Sequence, residues 1–114
     1  MPHFLTQAAF THDAWNALVK IPQDRIEVIR PAVEKLGGKI TAAWFAFGEY
    51  DVVTILEMPN NVAAAAIAIA FAAGGACKSV HTTPLLSTTE FLEAVKKAGT
   101  SGYRPITTGA AASA

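Results

Sequence analysis

The run from His3 to Phe10 alternates loosely, with Phe4, Thr6, Ala8 and Phe10 on one side and Leu5 and Ala9 on the other. Such a run, greasy on both sides, predicts a strand central to a sheet. Thr11-His12-Asp13 supply capping side chains for a short helical turn that carries Trp15 and Leu18, and Lys20-Ile21-Pro22 interrupts it. A longer helix is expected to open with Pro22 at its first position and Asp24 at its positive end. Ile26, Ile29, Val33 and Leu36 then recur at three- and four-residue spacing, so this helix is amphipathic and packs on the sheet. Pro31 removes one backbone donor and should kink it, and Gly37-Gly38 end it.

Two apolar runs follow, Lys39 to Phe47 and Val52 to Met58, divided by Gly48-Glu49-Tyr50-Asp51. They predict an antiparallel hairpin closed by a turn of about four residues. Pro59-Asn60-Asn61 stop the third strand and cap a second major helix from about Val62 to Ala73, built on alanine with Ile67, Ile69 and Phe71. Gly74-Gly75 terminate it. Lys78 to Leu86 alternates as a fourth strand, and Pro84 near its end places that strand at a sheet edge. Ser87-Thr88-Thr89-Glu90 matches a capping box, so a short terminal helix is expected before the small and polar residues that begin at Gly99.

The order strand, helix, strand, strand, helix, strand predicts an α+β, ferredoxin-like βαββαβ fold with a four-stranded antiparallel sheet and an extra C-terminal helix. Residues 1–98 form one domain and residues 99–114 a flexible tail, with Tyr103 and Ile106 as the residues able to pin it. Both major helices then cover the same sheet face. The second strand puts Ile40, Ala42, Trp44 and Ala46 on one side and Ala43, Phe45 and Phe47 on the other, where a sheet with one wet face would alternate apolar with polar. A second subunit is therefore expected to cover the face the helices leave open, giving a homodimer or higher homo-oligomer.

Composition narrows the function classes. Nine Lys plus Arg against nine Asp plus Glu give no net charge, so no nucleic acid partner is expected. Charged residues make up 16% of the chain, against roughly 25% in average soluble domains, which again suggests that part of the outside is covered. Cys77 is the lone cysteine, read as a small buried thiol, and it fits a reducing, cytoplasmic location. Met1-Pro2-His3 lacks a basic segment and the run after it is broken by Thr6 and Gln7, so no secretory leader is expected. The charge-free run from Val62 to Cys77 is shorter than the roughly 20 residues of a membrane span and reads as a buried helix. No membrane partner is expected.

The antiparallel topology brings the end of the first strand, residues 48–51 and the start of the fourth strand to one rim, a candidate pocket mouth. It gathers Phe10, Thr11, His12, Asp13 and Trp15 near Glu49, Tyr50 and Asp51, with Cys77 and Lys78 close by. A His beside carboxylates and a Tyr has the groups for general acid-base chemistry. The structural alternative makes Glu49 a solvated turn residue, Tyr50 an anchor under the turn and Asp51 an acceptor of the backbone bonds that close it. His3 and His81 lie on neighbouring strands without a metal-ligand spacing, so no metal is expected. Trp44 and Phe45 either line a cavity or serve as packing, and Arg25, Glu27, Arg30 and Glu34 pair charges along a solvated helix face.

The chain resembles the GYD domain family, small bacterial proteins named for the residues Gly48, Tyr50 and Asp51. The matching features are Phe10-Thr11, Pro22 and Arg25, Gly37-Gly38-Lys39, Gly48-Glu49-Tyr50-Asp51, Pro59, and Thr82-Thr83, spanning most of residues 3–92. The resemblance implies membership of the dimeric α/β-barrel group and brings two functional classes with it. One is a small-ligand-binding or regulatory module: Gly48 to Glu57 is similar to the hairpin of effector domains in leucine-responsive (Lrp/AsnC) regulators, where amino acids bind between subunits. Without a helix-turn-helix pattern, this chain would be a stand-alone sensor or partner subunit. Its candidate ligand contacts are Phe10, Trp15, Trp44, Glu49, Tyr50 and Asp51. The other class is a barrel enzyme, monooxygenase- or isomerase-like, acting on a small apolar or aromatic metabolite, for which His12, Tyr50, Asp51 and His81 are the catalytic candidates. A purely structural assembly module is the third class. No cofactor is expected in any of them. Polar side chains facing an internal cavity would favour chemistry, and polar side chains at a subunit boundary would favour sensing.

Overall fold

The computed structural model describes residues 1–106. Four strands, β1 (His3–Phe10), β2 (Lys39–Phe45), β3 (Val52–Glu57) and β4 (Cys77–Leu85), form one antiparallel sheet in the order β2-β3-β1-β4. The helices are α1 (His12–Lys20), α2 (Arg25–Lys35), α3 (Asn61–Ala73) and α4 (Thr88–Gly99). This is the expected α+β, ferredoxin-like arrangement, with β1 and β3 central and Pro84 on the edge strand β4.

Helices α2 and α3 cover one face. Phe4 of β1 and Leu56 of β3 meet Val33 of α2 and Ala64 and Ile67 of α3, with Met58 completing a cluster whose members are at most 3% exposed. A second cluster joins Phe10, Ile26 and Val52, and Ala14 and Leu18 of α1 pack against it. Truncating a side chain as enclosed as Leu56 would cost about 2–5 kcal/mol.

Local chemistry sets the element ends, with some departures from the pattern-based boundaries. Thr11 caps α1 by accepting the Ala14 N–H at 3.1 Å. Helix α2 opens at Arg25, not Pro22, because the Asp24 carboxylate accepts the Ile26 N–H at 2.9 Å and takes the cap position itself. Pro31 lies inside α2 with helix on both sides. At the far end the Gly38 N–H reaches the Val33 carbonyl at 3.1 Å and the Gly37 N–H the Glu34 carbonyl at 2.9 Å, the bond pair of a Schellman stop. Gly37 makes this turn with φ +86°.

Three expectations need correction. Strand β2 ends at Phe45, and the connection to β3 runs from Ala46 to Asp51, longer than four residues and closed by the Ala46 N–H on the Asp51 carbonyl at 2.8 Å. Between Ile40 and Ala42 the register slips by one residue, a bulge at Thr41. Strict alternation therefore fails there: Ile40, Ala43 and Phe45 pair with the buried Leu56, Thr54 and Val52, while Ala42 and Trp44 pair with Ile55 and Val53 of the opposite face. Finally, α3 is not a buried helix. Only Ala64 and Ile67 are buried, and Val62 and Ile69 stand in the open, since one sheet covers one side of a helix that is apolar all round.

The outer sheet face, left free by α2 and α3, carries Leu5 and Gln7 of β1, Val53 and Ile55 of β3, and Trp44, which is 62% exposed, while Ala9 at the end of β1 is buried. At one end of this face Glu57 bridges His3 at 3.0 Å and Lys39 at 3.4 Å. Beyond β4, helix α4 packs closely on no other element, and every residue from Thr83 to Ile106 is exposed, Tyr103 and Ile106 included, so those two pin nothing within the described chain. Residues 107–114 of the expected tail lie outside the described residues. With α4 projecting, the radius of gyration is 18.7 Å, against roughly 13 Å for a compact domain of this length.

Candidate functional site

Between sheet and helices lies a cavity of about 160 Å³. Its floor comes from β1 and β3, its sides from α2 and from the end of α3, and Cys77 closes it at the start of β4. The walls are apolar, chiefly Phe10, Ile26, Ile29, Val52 and Phe71. Polar groups enter at two places. Thr6 and Thr54 stand on the floor, 5% and 2% exposed, and Arg25 stands at the more exposed side.

The floor is an unusual strip of sheet. Thr6 is directly opposite Thr54 on one side and Thr82 on the other, so three threonines cross the inner face in a row. The hydroxyls of Thr6 and Thr82 have no hydrogen-bond partner among the described residues. An unsatisfied buried hydroxyl costs about 1–3 kcal/mol. At the opposite side Arg25 donates to the Gln23 side chain at 3.0 Å and meets no carboxylate within ion-pair distance among the described residues. Helix α2 instead pairs Arg30 with Glu27 at 3.1 Å. Burial pushes the Cys77 thiol up, and the nearby Arg25 charge acts the other way.

The rim assembles as expected in part. The Phe10 N–H donates to Asp51 Oδ2 at 2.9 Å, Phe10 pairs with Cys77, and the Thr11 N–H reaches the Ala76 carbonyl at 2.9 Å. Asp51 is a stitch between the turn and β1, because its own N–H also donates to the Ala8 carbonyl at 2.8 Å. Trp15 meets Phe10 edge to face at 5.2 Å. His12 is exposed on α1, 3.2 Å from Asn16 Nδ2, and Asp13 and Glu49 are exposed as well.

The remaining candidates lie on the other side of the sheet. His81 is opposite Gln7, and Tyr50 packs edge to face on it with ring centroids 5.4 Å apart. Both therefore belong to the outer face and not to the cavity. Trp44 shares that face, in register through Val53 and Gln7 with His81, three strand spacings or roughly 14 Å away. His3 is also on this face, at its far end. The predicted residues thus divide between the two faces: Phe10 lines the cavity, Trp15 backs Phe10, and Tyr50, His81 and Trp44 face the uncovered surface.

Pattern reading did not single out Thr6, Thr54, Thr82 or Arg25 as site residues. The signal was present: Thr6 interrupts the apolar face Phe4-Ala8-Phe10, and Thr54 interrupts Val52-Leu56. Only strand pairing shows that the interruptions coincide.

A family model described as the GYD domain matches residues 4–95 of the chain. No curated protein and no solved structure matches it.

Proposed function

The chain belongs to the GYD domain family, and from that premise we propose that it is a homo-oligomeric module that binds a small, mainly apolar ligand between its sheet and helices. A second copy covers the outer sheet face and the projecting α4. The observation that carries the ligand half is the apolar cavity of about 160 Å³ between sheet and helices. Cavities near 150 Å³ hold a benzene-sized molecule, so the ligand is about one ring or a short branched chain. The assembly half is supported by the apolar outer face, the exposed side of α3 and the unsupported α4 of a chain with few surface charges.

The enzyme reading has less support. It asked for His81 and Tyr50 to face an internal cavity, and their rings meet on the opposite face. Their place at a prospective subunit boundary favours binding instead.

Thermal-shift screening against single-ring metabolites and amino acids tests the proposal. A ligand held only by the folded protein stabilises it by about 2.7 kcal/mol at a hundred times its dissociation constant. For a chain of this size that is a shift of roughly 10 °C or more. Failure of every ring-sized compound to shift the transition would remove the cavity as a binding site.

A further inference from the structure

We propose that α4 of one copy of this chain packs along the outward side of α3 in a second copy, and that the exchange is reciprocal. The inference rests on the assembly half of the proposed function and names two elements that meet.

Helix α3 has no charged residue from Asn61 to Ala73. Ala64 and Ile67 are buried against the sheet, and the opposite side carries Val62, Ala65, Ile69 and Ala72, all exposed, with Val62 at 79% and Ile69 at 66%. Their spacing of three, four and three residues is that of the seam along which one helix packs on another. A helix side that faces water ordinarily carries polar and charged residues, so this one calls for a cover. Helix α4 repeats the spacing in Thr88, Phe91, Val95 and Ala98, with Leu92 beside them, while Glu90, Glu93, Lys96 and Lys97 fall on its other side. Phe91, Leu92 and Val95 are all exposed. The two surfaces match in length, 12 residues against 13, and in size, the large side chains of α4 against the alanines of α3.

The α4 that covers α3 comes from another copy. Only Leu86 and Ser87 separate β4 from α4, and both ends of that link are fixed. Leu85 is paired with His3, and Ser87 donates its N–H to the Glu90 carboxylate at 2.9 Å and accepts the Glu90 N–H at 3.1 Å. No slack is left for α4 to fold back over its own α3, and the protein extends to 60 Å along its longest axis. Exchange about a two-fold axis makes the contact twice and closes the assembly.

Cross-linking between two differently substituted chains tests this. In a Cys77→Ala background, one chain carries Ala65→Cys and the other Val95→Cys; they are mixed at micromolar concentration and treated with a short bis-maleimide. Mass spectrometry should find the mixed product in at least tenfold higher yield than with Trp44→Cys in place of Ala65→Cys. Ala65→Glu, at an exposed position of a helix, should leave the fold intact by circular dichroism and weaken self-association at least tenfold in sedimentation velocity. A link formed only within one chain carrying both Ala65→Cys and Val95→Cys would mean that α4 folds back, and a link formed only with Trp44→Cys would place it on the sheet; either result overturns the exchange. If no link forms while the protein still sediments as an oligomer, the exchange falls and the sheet contact stands. A wild-type protein that sediments as single subunits removes both.

Discussion

Threonine in an apolar stripe is easily dismissed, since its methyl group packs like that of valine. Thr6 is such a residue: it lines the cavity floor, and its hydroxyl is enclosed with no hydrogen-bond partner among the described residues. Arg25 is a parallel case. Its spacing from Glu27, Arg30 and Glu34 reads as a solvated charge ladder, yet only the Arg30–Glu27 pair forms, and Arg25 turns to Gln23 at the cavity edge. Sequence spacing identifies which residues share a helix side and is silent on which of them has a neighbour across the fold. Cys77 gives this residue-scale account a test. Burial holds its thiol protonated to higher pH than a free cysteine, and Arg25 partly offsets this by favouring the thiolate. Alkylation of Cys77 at pH 8 should therefore run slower than for a free thiol, with its rise displaced to higher pH, and Arg25→Gln should slow it further. Equal or faster labelling in Arg25→Gln, measured by mass spectrometry, contradicts the electrostatic contact.

Most elements were legible because their ends are written in side chains that cap or stop them. Asn60 accepts the Ala63 N–H at 2.9 Å, and Ser87 and Glu90 form the reciprocal bonds of a capping box, both at positions the local chemistry marks. Errors occurred where a boundary depends on competition or on pairing. Pro22 and Asp24 are both good helix openers, and the carboxylate at Asp24 prevailed. The bulge at Thr41 has no local signature; it shows only in the partner strand, and it exchanges the sides on which Trp44 and Phe45 lie. The tightest junction between elements is Gly38, where α2 hands over to β2. A Cβ there would overlap the Met58 sulfur and lie 2.6 Å from the Glu57 carbonyl oxygen. Gly38→Ala should cost about 1–3 kcal/mol, because a backbone atom has to give way. Chemical denaturation measures it, and a loss below about 0.5 kcal/mol would mean the junction is looser than described.

For the whole molecule, the expectation of a sheet apolar on both sides anticipated the apolar outer face, though the bulge separates Trp44 from the side of Ile40 that strict alternation gave it. Of the cavity only the rim was legible, through Phe10 and Cys77, since the rest of its lining comes from residues far apart in sequence. Trp44, central to no packing within its own chain, is the natural point to probe assembly. Trp44→Glu should shift the chain to single subunits in sedimentation velocity at micromolar concentration while leaving the circular dichroism of the sheet intact, and an unchanged sedimentation coefficient would exclude that face from the contact. Helix α4 adds a consequence of its own. A lone segment of 12 residues seldom stays coiled in water without a neighbour to lean on. If its support comes from another copy, diluting the protein should unwind it first, and the far-ultraviolet signal would then report how many molecules are still holding on to each other.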